Sequence, residues 1–109
     1  MMYFDFNVGN ESYKLRLSTR EIINLEKQLG CNPLAIFGTG HTIPTITAMV
    51  QVLHASLQQY QHGITVDQAY KMFDAYLDEG HMATDFIEVI VGVYKVSGIM
   101  KEETDTGKN

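Results

Sequence analysis

Four histidines, one cysteine and a surplus of acids are the side chains in this 109-residue chain that could ligate a metal or move protons near neutral pH. His41, His54, His62 and His81 form no i, i+4 pair, and none has a cysteine close by in sequence. The tight ligand spacing of a zinc site is therefore missing. His54 falls on the wet face of an expected helix, and the other three flank turns. Asp74 and Asp78 share a helix face but Glu79 does not, so the three read as a solvated acidic surface. Gly38-Thr39-Gly40 precedes a helix, yet it lacks the Lys-Ser/Thr of a phosphate loop and no strand leads into it. It reads as a hinge. Cys31 follows a helix C-terminus, the wrong end of the dipole for an activated nucleophile. Glu26 lies on the same side of its helix as Ile22, Leu25 and Leu29. A carboxylate there either reaches water at the core's edge or pairs with Arg16 or a backbone amide, and the cost of burying a charge favours the first. These residues predict no enzyme: no catalytic group, no cofactor and no metal.

Composition narrows the partners. The formal charge is −5, and only Lys14, Arg16 and Arg20 cluster among the basic residues. A phosphate-neutralising stripe is absent, which argues against nucleic acid. A single cysteine excludes an internal disulfide and suits a reducing compartment. Met1-Met2-Tyr3-Phe4-Asp5 lacks the basic start and apolar run of a secretory leader. The expectation is a cytoplasmic protein with no membrane span, one globular domain over residues 1–100, and a charged, disordered tail over 101–109.

The elements follow from periodicity and punctuation. Residues 2–8 and 12–17 read as a β-hairpin, with Asn7, Gly9, Asn10 and Glu11 as turn chemistry. A two-stranded hairpin is marginal alone, so it must lean on helices or pair with another chain. Ser18-Thr19-Arg20-Glu21 reads as a capping box opening a helix that stops at Gly30. Pro33 opens a short turn in which Leu34, Ile36 and Phe37 plug the end of the core. A second helix is expected from near Thr42, with Pro44 in its first turn and Ile46, Met49, Val50, Leu53, Leu57 and Tyr60 as its apolar stripe. Thr65-Val66-Asp67-Gln68 caps a third helix expected to bury Val66, Ala69, Tyr70, Phe73 and Leu77.

The last helix, within Asp85–Met100, is apolar nearly all round, with only Asp85, Glu88, Gly92 and Lys95 forming a narrow polar stripe. Such a helix must be buried on most sides. The whole reads as an α+β fold: an N-terminal β-hairpin packed beside a bundle of about four α-helices. If Ile87, Ile90, Val91 and Tyr94 face the chain's own core, then Phe86, Val89, Val93 and Val96 lie on the opposite flank and form a surface for self-association or a partner. The competing reading has both flanks covered and the helix at the centre of the core.

The order of these elements carries a resemblance. A hairpin ending Tyr13-Lys14-Leu15-Arg16-Leu17 leads into Ile22, Leu25-Glu26 and Leu29-Gly30, then a connector, an Ile/Leu-rich helix, a Thr65-initiated helix and a final apolar helix. Over roughly residues 3 to 100 this resembles the tail assembly chaperones of long-tailed bacteriophages and their gene-transfer-agent relatives. The resemblance implies a non-enzymatic factor in the cytoplasm of the infected bacterial host, absent from the mature virion. It would keep the apolar tape measure protein soluble while tail tube protein polymerises around it. It also implies self-association, and a longer product made by frameshifting near the C-terminus. A different class, a small dimeric phage or prophage regulator of DNA-binding or anti-repressor type, draws only on Lys14, Arg16 and Arg20.

Overall fold

A computed structural model describes residues 2–38 and 43–101. Gly9 and Asn10 both hold positive φ, 61° and 66°, the backbone of a type I′ turn. That turn joins β1 (Phe4–Val8) to β2 (Glu11–Leu15) in an antiparallel hairpin with Phe4 opposite Leu15 and Phe6 opposite Tyr13. The strands are shorter than expected. β2 stops at Leu15 because the next amides leave the hairpin: Arg16 donates to the Ser56 carbonyl at 2.9 Å and Leu17 to the Ser97 hydroxyl at 2.8 Å.

Helix α1 (Thr19–Leu29) starts where Ser18 Oγ accepts the Glu21 N–H, and it ends with the Gly30 N–H on the Glu26 carbonyl. The return bond of a capping box, from the Ser18 amide to Glu21, is not made among the described residues. A short 3-10 turn, Pro33–Phe37, follows, with Pro33 buried and Ile36 and Phe37 against the core. Leu34 is exposed instead of plugging the end. Helix α2 (Ile46–Leu57) is capped by Thr45, so Pro44 sits outside the helix and not in its first turn. Helix α3 (Val66–Asp78) carries the full Thr65–Gln68 capping box. A 3-10 turn (Ala83–Asp85) leads into α4 (Phe86–Val96). The architecture is α+β, a hairpin followed by four helices. The expected tail after Lys101 and the glycine tip at 39–41 lie outside the described residues.

The core's centre is α2, which buries Met49, Val50, Leu53 and Leu57 as its stripe predicts, and also Ala48, Val52, Ala55 and Ser56 on the other side. Ile46 and Tyr60, placed in that stripe by spacing, are exposed. On α4, Gly92 lies directly against the Phe4 ring, which occupies the place a Cβ would need. Gly92→Val should therefore cost about 1–3 kcal/mol through overpacking, read as a lower urea midpoint with an unchanged slope.

Candidate interaction surface

Among the described residues, no group of three or more His, Cys, Asp or Glu is arranged to hold a metal ion. His54 is half-buried on α2, His62 is exposed, and the His81 ring stacks on Tyr76 at 4.2 Å between centroids. His41 lies outside the described residues. Cys31 is free and exposed, and Glu26 is exposed, its carboxylate in water. Asp74, Asp78 and Glu79 are all solvated. Glu79 does one structural job, accepting the Gly9 N–H at 2.6 Å and so tying the hairpin turn to the end of α3.

Two of the open grooves lie among the described residues. One, of about 300 Å³, runs between the hairpin turn and α3 over Val8, Tyr13, Ile64 and Met72. The other, of about 390 Å³, lies between α1 and the start of α2 over Leu29, Ile36, Ile43 and Ala48. Both are predominantly apolar; Cys31 lines the second with no acid, histidine or lysine beside it in the lining, and Glu11 and Lys71 line the first.

Two members of the basic cluster have partners in the fold, while Arg20 is exposed. The Arg16 guanidinium donates to the carbonyls of Met2 at 2.9 Å and Val96 at 2.8 Å, the second serving the C-terminus of α4. The Lys14 ammonium lies 4.9 Å from the centre of the Tyr3 ring.

The surface expected on α4 moves elsewhere. Phe86, Val89 and Val93 are buried in the chain's own core, together with Ile90 and Tyr94, and Val96 is half-buried. Ile87 and Val91, expected inward, are half-buried instead. The reason is that the hairpin, α2 and the turn before α4 all pack on this helix, and Phe86 takes edge-on contacts from Phe6, Phe73 and Tyr76. No flank remains for a partner to claim with those four residues.

Three of the exposed large apolar side chains lie on α3; Ile23, Leu34, Ile43 and Ile46 are others, on α1, the turn after it and around the start of α2. Val66, Tyr70 and Leu77 are 40%, 51% and 37% exposed, although their spacing suggested burial. Ala69, Phe73 and Tyr76 are the buried set. At about 100° per residue, Val66, Tyr70 and Leu77 fall within about 40° of one another, a single row along the helix. The solvated acids Asp67, Asp74 and Asp78 form the adjoining row, with Lys71 beyond them. A signal for this was present in the sequence: Met72, Ala75 and Tyr76 make α3 apolar over more arc than one core can cover.

A profile of the family of unknown function DUF6096 matches residues 5–108, nearly the whole chain. The chain belongs to this family. No curated protein and no solved structure matches it. The match spans all but the first residue of the hairpin and all four helices, α3 included. No helix among the described residues is long and apolar enough to cross a membrane.

Proposed function

We propose that this DUF6096 chain is a non-enzymatic assembly factor, a phage tail assembly chaperone that works in the cytoplasm of an infected bacterium. Its client would be the tape measure protein, held soluble while tail tube protein assembles, as the resemblance implies. The observation carrying the reading is the α3 face: Val66, Tyr70 and Leu77 in one exposed row beside Asp67, Asp74 and Asp78. A row of apolar anchors at helical spacing receives the apolar side of another helix. The acidic row selects a client helix with Lys or Arg bordering its apolar stripe. Large side chains in the row supply contact area, and the charges supply orientation.

Co-expression with the long tail gene product encoded nearby tests the reading. The wild-type chain should co-purify with that product and raise its soluble yield. Tyr70→Asp with Leu77→Asp should keep the wild-type circular dichroism and a cooperative melt with a modestly lowered midpoint, because Tyr70 is 51% and Leu77 37% exposed. Capture should fall on the order of 100-fold, from two apolar contacts worth about 1.5 kcal/mol each. Normal capture by the double variant would remove α3 as the docking face. Absence of capture by the wild type would remove the chaperone reading.

A further inference from the structure

The two long edges of the hairpin are treated differently by the fold. On the β2 side, the Gln61 amide brackets Lys14 like a neighbouring strand: Lys14 N–H donates to Oε1 at 2.8 Å and Nε2 donates to the Lys14 carbonyl at 2.9 Å. The Ser56 carbonyl takes the next outward amide, that of Arg16. Because the Lys14 backbone groups face away from the hairpin, those of its partner Asp5 face away as well, and so do those of Asn7 two residues on. Among the described residues nothing bonds the N–H or C=O of Asp5 or Asn7. Both side chains are exposed. The β1 edge is thus a short row of open donors and acceptors, the feature that recruits an extended strand.

We propose that this edge pairs with the β1 edge of a second copy of the chain, antiparallel, about a two-fold axis at Phe6. In that register Asp5 faces Asn7 of the second copy and Asn7 faces its Asp5. Each of the two pairs exchanges both backbone bonds, four in all. A carboxylate then lies beside a carboxamide, whereas a two-fold axis at Asp5 would set two carboxylates face to face. Phe6 and Val8 point to the core in each copy. An axis perpendicular to the sheet keeps both sets of helices on one side of a four-stranded sheet ordered β2-β1-β1-β2. The two hairpins thereby join into a sheet of ordinary width. The pairing stands whether or not the chain is a tail chaperone.

Amide hydrogen exchange followed at several protein concentrations, alongside sedimentation, tests it directly. Asp5 and Asn7 amides have no acceptor among the described residues, so a monomer exchanges them at unprotected rates. Protection of at least tenfold that grows with concentration, in step with a monomer–dimer equilibrium, is the expected result. Asn7→Asp keeps an acceptor for the Ser12 hydroxyl, which donates to Asn7 Oδ1 at 2.7 Å, and leaves the hairpin intact. It sets two aspartates opposite each other at both pairs, so it should weaken dimerisation several-fold, with recovery in high salt. Asn7→Pro, which removes an outward N–H, should abolish it. Unprotected Asp5 and Asn7 amides at every concentration would overturn the proposal. So would a dimer indifferent to both variants.

Discussion

Val93→Asp should unfold this protein. Val93 is 1% exposed within a cluster that includes Phe6, Leu53, Phe86 and Ile90. An aspartate there forfeits the burial of a valine, about 1.5–3 kcal/mol. It must also bury a carboxylate without a partner, or protonate to avoid doing so, at a cost of several kcal/mol. A domain of this size has only about 5–15 kcal/mol in total. The variant should lose its far-UV helical signal and cooperative transition at 25 °C, while Val91→Asp, at a half-buried position, stays folded with a lowered midpoint. A folded Val93→Asp with altered sedimentation would mean that α4 does carry an association surface and that its burial in the monomer is misassigned.

Tyr94→Phe is the second large effect, and it has a pH signature. The Tyr94 ring is fully buried, and its hydroxyl donates to the Pro33 carbonyl at 3.0 Å, fastening α4 to the turn after α1. The Phe37 ring stands edge-on to it at 6.0 Å. Deleting the hydroxyl removes this cross-link from a carbonyl that also belongs to the 3-10 turn, at about 0.5–1.5 kcal/mol. Burial first, and the field of Cys31 second, hold the phenol well above its ordinary value of 10.0. The unfolded chain therefore releases this proton before the folded one. The contribution is complete below pH 10 and is lost as pH rises toward the folded value, at about 1.4 kcal/mol per pH unit. Tyr76 behaves alike, raised by burial and then by Asp85 and Glu88. Urea unfolding between pH 8 and 11.5 should show the wild type losing stability steeply above pH 10. Tyr94→Phe should start lower and fall less steeply. Parallel curves would show that the Tyr94 proton is not linked to folding.

Much of the chain's local structure was legible from residues alone because it depends on groups a few positions apart. Gly9-Asn10 demands positive φ, Thr65 and Gln68 satisfy each other's amides, and Gly30 ends α1 through its bond to Glu26. None of these consults the rest of the fold. The same holds for the order of elements and so for the α+β class. Pro44 misled for a related reason: its missing N–H suits a first helical turn, but Thr45 supplies a true side-chain cap one residue later, and the helix begins after it.

What the sequence could not settle is which arc of an apolar helix turns inward. Both α3 and α4 carry more apolar arc than a single contact can cover, so the 3.6-residue period names the candidates without choosing among them. Packing made the choice. On α4 the hairpin and three aromatic rings close over Phe86 and its row, and the expected partner surface became core. On α3 the same aromatic contacts pull Phe73 and Tyr76 inward and rotate Val66, Tyr70 and Leu77 out to water. The open β1 edge has the same origin. Strand propensity makes both strands alike in their need for partners, but Gln61 and Ser56, distant in sequence, reach only β2, because the end of α2 runs beside that strand and not beside its neighbour.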